Sequence, residues 1–284
     1  MFFFTVDWER VWVFQWGDVL MDRYLRDYVI SLWQLITGFR TQGERRISDE
    51  RMRDIGPYLD ISRPLRVLDL ANGRLQPQYL LLKAAGQCVY GIDRINRPAS
   101  SWMDRAYQIA RWLYTRHLHF PPDSSREQTL VCGDVGFLPF KDNSFDFVTS
   151  VAAFEHFQNV PAVVGDLHRV MRQGGIAYIR IHLFTCPSGA HNLSSTEIPL
   201  RTIPCGVEAW DHLRKRHLPF SAPLNEWRVE HYLSAFARQF EILKSYCAMR
   251  EGEKLLTPEI EAELSNYSRE ELTCGAYVIV ARKS

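Results

Sequence analysis

From Arg66 onward, the alternation of apolar and polar positions resolves into short apolar runs of strand length separated by longer helical patterns. Val67, Leu68 and Leu70 form the first run, and Pro77 opens a helical pattern carried by Leu80, Leu81, Ala84 and Ala85 that Gly86 closes. Cys88 to Ile92 is a second apolar run and ends in Asp93. Strand, tight turn, helix and strand then span the length of a nucleotide-binding βαβ unit, with acids at both strand ends, Asp69 and Asp93. Ala99 to His119 predicts a helix with an apolar stripe of Trp102, Ala106, Ile109, Ala110, Leu113 and Tyr114, and Thr129 to Cys132 a third strand ending near Asp134. Phe145 to Ser150 predicts a fourth strand, Val160 to Met171 a helix stopped by Gly174 and Gly175, and Ile176 to Phe184 a fifth strand. Phe240 to Met249 and Ala276 to Lys283 are the last two strand candidates.

Ahead of this core, Leu25, Val29, Leu32 and Ile36 repeat at helical spacing, and Tyr24, Tyr28 and Trp33 widen that face. A helix packed on the core is expected there, with a lid or substrate wall as its functional use. Membrane-surface binding is disfavoured by the interleaved Asp18, Asp22 and Asp27. Thr41 to Asp54 is polar throughout and reads as a connector. The 185–232 segment, rich in proline and carrying Trp210, Asp211, His212, Arg214, Trp227 and Arg228, reads as a cap over the strand ends that supplies specificity. Glu251 to Glu271 reads as a short solvated helix between the last two strands.

Charge narrows the partners. With 34 basic and 33 acidic residues the net charge is +1, which argues against a nucleic-acid-coating surface and favours a small-molecule or sugar-containing substrate. The six cysteines show no Cys-x-x-Cys pairing, so buried free thiols, a reducing cytoplasmic location and no structural metal are expected. MFFFTVDWERVWVF lacks the basic start of a signal peptide, and no uncharged stretch reaches transmembrane length. Nor is there a nucleophile elbow or a His-x-x-x-His spacing.

The Arg66–Arg94 stretch resembles motif I and the following acidic position of class I S-adenosylmethionine-dependent methyltransferases. Leu138-Pro139-Phe140, DNSFDFVTSVAAFEHF and the glycine pair at 174–175 are similar to the small-molecule branch of that family. The resemblance implies an α/β, Rossmann-like, doubly wound seven-stranded sheet whose last two strands form an antiparallel hairpin. It divides the chain into a helical extension, 1–64, and a methyltransferase domain, 65–284, with the cap inserted after the fifth strand. It also implies S-adenosylmethionine as cofactor, held by Asp69, Ala71, Asn72, Gly73, Asp93, Arg94, Asp134, Val135 and Val151. Methyl transfer to an oxygen or nitrogen follows, with His156 and His191 as candidate bases and His182 a further one. Ala71 and Leu75 stand where the family has glycines, which keeps open a non-catalytic binding protein of the same fold. A nicotinamide-dependent oxidoreductase is the remaining alternative, set against by the lack of Gly-x-Gly-x-x-Gly.

Overall fold

The computed structural model describes residues 33, 36–96, 102–117, 129–191, 209–214 and 223–284, without the side chains of 40, 103 and 114. Seven strands form one sheet: β1 Arg66–Leu70, β2 Cys88–Asp93, β3 Leu130–Cys132, β4 Phe145–Val151, β5 Met171–His182, β6 Phe240–Arg250 and β7 Cys274–Lys283. Their order across the sheet is β3-β2-β1-β4-β5-β7-β6. The first five run parallel, while β7 is antiparallel to both β5 and β6. The expected seven-stranded plan and its terminal hairpin are therefore present. Helices α1 Phe39–Ile55, α2 Pro77–Ala84, α3 Trp102–His117, α4 Val160–Val170 and α5 Val229–Ala237 flank it.

Both sheet faces are buried, so the central strands are nearly continuous apolar runs. One face packs Leu68, Leu70, Val148, Ala177 and Ile179 against α4 and α5. The other packs Val67, Phe147, Ile176 and Val280 against Tyr79 and Leu80 of α2 and Ile55 of α1. Helix α4 shows why such a segment is helical: Asn159 caps it by accepting from Ala162 N (3.2 Å), Pro161 fills the first turn, and Val160, Val163, Val164, Leu167 and Val170 line one face. Each such burial contributes about 1.5–3 kcal/mol.

Several sequence expectations are corrected. The Thr41–Asp54 connector is a helix, because its inward face is polar: Thr41, Glu44, Arg51 and Asp54 are buried at helical spacing. Tyr246 Oη lies 2.8 Å from Glu50 Oε1 and 2.5 Å from Asp54 Oδ2 and donates its one hydrogen between them, Lys244 donates to Asp54 (2.6 Å), and Arg180 donates to Glu50 (3.0 Å). Charge pairing against the sheet joins the buried Ile47 and Ile55 in docking α1.

Helix α4 stops at Val170, four residues before Gly174. Met171 already pairs with Phe145, and the register then jumps to Phe147 opposite Ile176. Gly174, at φ +74°, serves the bulge inside β5 rather than the helix end. The stripe expected on α3 is split: Trp102 is 77% and Ile109 62% exposed, while Ala110 packs against the core. The helix is tethered through polar groups: Arg111 donates to Gln76 Oε1 (2.8 Å), and Arg74 pairs with Asp104 (3.2 Å) while lying over the Tyr107 ring.

The 251–271 segment is not a solvated helix either. It forms two short helices, α6 Pro258–Glu263 and α7 Arg269–Thr273, and a third core in which Leu256, Leu264 and Leu272 enclose Trp210. Of the cysteines, Cys186 and Cys274 are buried, but Cys88 and Cys132 are exposed, contrary to the burial expected of them. Of the N-terminal pattern, Leu25, Val29, Leu32, Tyr24 and Tyr28 lie outside the described residues, as do 192–208 and 215–222 of the cap; Trp33 and Ile36 are exposed. No helix among the described residues is long and apolar enough to cross a membrane.

Candidate active site

Parallel strands deliver their carboxyl ends to one edge, where ligands of open α/β sheets bind. Here that edge carries Leu70, Asp93, Cys132, Val151 and His182. The turn after β1 holds three residues in the left-handed region, Ala71 (φ 51°), Gly73 (φ 66°) and Gln76 (φ 53°). Ala71 thus keeps the conformation a glycine would take, fixed by its N–H donating to Ile92 O (2.8 Å). Leu75 departs from glycine for a different reason, since its side chain packs against the core under α1 and α2. The position of a Cβ on Gly73 has no atom within 4 Å, so the turn faces open space there.

Asp93 accepts from Gly73 N (2.9 Å) through Oδ2 and from Ile95 N (3.1 Å) through Oδ1, which locks the carboxylate over the turn. An ionised carboxylate offers about four acceptor sites, so capacity remains for ligand hydroxyls. Asn72 joins the same network, accepting from Asn96 Nδ2 (2.9 Å). Asp134 accepts from Gly136 N (2.9 Å) and is paired with Arg94; both contacts hold its carboxyl below the usual range. Val135 follows it, half-buried against the core of the α4 face.

Asp69 turns away from that edge. It is buried on the α1 face in a row with Thr149 of β4 and Tyr178 of β5, and Arg51 of α1 lies over the row. Burial pushes Asp69 up to about 7, with Arg51 acting in the opposite sense and Glu44 and Asp93 reinforcing the rise. Asp69 Oδ2, Arg51 Nε and Nη1, Thr149 Oγ1 and Tyr178 Oη all lack a hydrogen-bond partner among the described residues. A buried polar group left without any partner costs roughly 1–3 kcal/mol.

Beyond Val151, a short 3-10 turn, Phe154–His156, opens the acceptor side. Asn225, from the inserted segment, clamps it by donating to Phe154 O (2.8 Å) and Phe157 O (3.0 Å). His156 Nδ1 faces Pro223 O at 2.9 Å; a carbonyl only accepts, so Nδ1 carries the proton and Nε2 the lone pair. The His156 and His191 rings lie 4.9 Å apart, and those of His191 and His182 4.7 Å. Burial holds His182 down at about 3 and His191 at about 4, and the neighbouring imidazoles add to both depressions. All three candidate histidines are thus brought together, on two strand ends and one loop.

Other expected ligand groups are committed elsewhere. Arg228 makes a bidentate pair with Glu271 (2.6 Å for each bond) and lies over Tyr267, Arg214 pairs with Glu263 (2.6 Å), and Trp210 Nε1 donates to Leu272 O (3.0 Å). They hold the cap segments in place. Sequence reasoning missed Arg51, Asn225, Ser188 and Glu251 as site-forming residues. Only Arg51 left a signal, the helical spacing of buried polar positions in α1.

Residues 68–179 match the family of methyltransferase domains. Over those residues the chain is similar to methyltransferase domains. It is 29% identical to a sterol 24-C-methyltransferase of Gibberella zeae over 147 residues, which are 52% of this chain and 34% of that one. It is 30% identical to a demethylmenaquinone methyltransferase of Thermus thermophilus over 161 residues, 56% of this chain and 66% of that enzyme. The chain thus spans about a third of the sterol methyltransferase it matches. The solved structure of MccD protein superposes with a TM-score of 0.50 at 15% identity, covering 84% of this chain and 96% of that one, a likeness of fold. S-adenosylmethionine is the cofactor of the methyltransferase family. The match of residues 68–179 favours a methyltransferase over the nicotinamide alternative.

Proposed function

We propose that this methyltransferase chain transfers the methyl group of S-adenosylmethionine to an oxygen or nitrogen of a small lipophilic molecule. The observation that carries it is the left-handed turn at Ala71–Gly73 locked to Asp93, facing open space at the strand ends. The residues present suit the cofactor. Asp93 has acceptor sites left for ribose hydroxyls, and Asp134 is available near the adenine end.

When bound, the cofactor supplies an electrophilic methyl on sulfonium; the chain's residues supply position and proton handling. His156, oriented by Pro223 O with its Nε2 lone pair outward, is the candidate base for a protonated nucleophile. His191 is held uncharged by burial and lines the same space. Positioning alone supplies much of the rate in such in-line displacements. Support for a lipophilic acceptor comes from the relatives, named for a sterol and for demethylmenaquinone. Arg214 and Arg228 of the inserted segment, being paired, are poor candidates for an anionic sugar.

The test is release of demethylated cofactor with a panel of sterols, quinones and nucleotide sugars. Turnover with an apolar member, lowered at least tenfold in kcat by His156→Ala with KM for cofactor unchanged, supports the reading. Turnover with sugars alone overturns the acceptor class.

A further inference from the structure

Glu155 is the side chain that methyl transfer leaves unexplained. It sits beside His156 in the 3-10 turn, 2% exposed, and its carboxylate oxygens make no well-formed hydrogen bond among the described residues, facing only the backbone N–H groups of Glu155 and His182. A ligand atom of Glu155, one of His182 and one of His191 all lie within 4.8 Å of one another. We propose that Glu155, His182 and His191 form a binding site for a divalent first-row transition ion such as Zn²⁺, on the acceptor side of the strand ends.

Two imidazoles and a carboxylate suit zinc or ferrous iron better than magnesium or calcium, which prefer all-oxygen shells. Three protein ligands leave at least one coordination position open, as in catalytic rather than structural sites. The shell behind the ligands is already built. Ser188 Oγ has one hydrogen and donates it to Glu251 Oε1 (2.6 Å), so toward His182 Nε2 (2.8 Å) it can only accept. His182 is therefore protonated on Nε2 and presents the Nδ1 lone pair, the arrangement in which a carboxylate behind a bridging group orients a metal-binding imidazole. A cation bound there would fill the unmet acceptors of the buried Glu155 carboxylate.

Zinc–nitrogen bonds of about 2.0–2.1 Å put tetrahedral ligand atoms about 3.4 Å apart, so the three groups must close inward on binding. His191 can supply that closure, being on a loop and half-buried. A competing set, His182 with Cys186 and Glu251, is less suited because its groups are already satisfied: Cys186 Sγ donates to Leu183 O (3.0 Å), and Glu251 Oε1 takes Ser188 N (3.0 Å) as well as Oγ. The site departs from the expectation of a metal-free protein.

The full chain, stripped with chelator and without S-adenosylmethionine, is titrated with Co²⁺ and then displaced with Zn²⁺. One ion per chain is expected, with a visible Co²⁺ absorption of low-coordinate type and no thiolate charge-transfer band. Glu155→Gln, nearly isosteric, and His191→Gln, on the loop, should each weaken binding at least tenfold with circular dichroism unchanged, while Cys186→Ser should leave it intact. Absence of binding, indifference to Glu155→Gln and His191→Gln, or a charge-transfer band lost in Cys186→Ser each overturns the assignment. Parallel titration of the stripped protein with S-adenosylmethionine keeps the two proposals apart, since cofactor binding without metal binding sinks only this one.

Discussion

Ala71 shows how a sequence departure becomes legible once the backbone is known. A residue other than glycine at φ 51° carries a left-handed cost of about 1–2 kcal/mol, and glycine's larger unfolded-state entropy returns about 0.5–1 of it. Ala71→Gly should therefore be neutral to stabilising by about 1 kcal/mol in urea unfolding, whereas Gly73→Ala should be neutral to destabilising by about 1 kcal/mol. Glu155 gives a second residue-scale outcome. Its folded value of about 8 is raised above its ordinary 4.5, so the stability it permits is full below pH 4.5 and is lost as pH rises through 8. In metal-free protein, the stability gap of Glu155→Gln over the parent should widen across pH 4.5–8 by a few kcal/mol at most, then level off. A flat gap across that window contradicts the buried, unpartnered carboxylate. Neither Ala71's conformation nor Glu155's isolation was readable beforehand, because both depend on neighbours far away in sequence.

At the scale of elements, strands and α4 were legible because apolar residues carry their inward faces. Helix α1 was not. Its inward positions are Thr41, Glu44, Arg51 and Asp54, so a pattern search for apolar periodicity returns a connector. The reverse error occurred in α3, where Trp102 and Ile109 fit a stripe yet face solvent, since polar contacts through Arg111 and Arg74 set the helix's rotation. Glu50 tests the docking of α1. Its removal strands Arg180, which is buried on β5, so Glu50→Ala should cost about 3–5 kcal/mol in urea unfolding. A loss below about 1 kcal/mol, the size typical of exposed pairs, would contradict that docking. The bulge at Gly174 was likewise misassigned, because two glycines after an amphipathic run signal a helix end as readily as a strand irregularity.

For the whole molecule, the seven-stranded plan and its terminal hairpin were legible because the motifs between Arg66 and Phe184 occur in a fixed sequence along the chain. The third core was not, because Trp210 and Leu272 meet only after the inserted segment folds back. The candidate site shows the same division: Asp93 and the histidines are marked by strand ends, while Arg51 and Asn225 arrive from segments without a motif. The central claim, that this site binds S-adenosylmethionine despite Ala71 and Leu75, is tested most directly by calorimetric titration of the purified chain and of Asp93→Ala. Micromolar binding of S-adenosylmethionine and its demethylated product, with at least a tenfold loss in Asp93→Ala, is the predicted result. No binding to the folded parent, or equal binding by the variant, would contradict it and point to the non-catalytic alternative or to a different ribose contact.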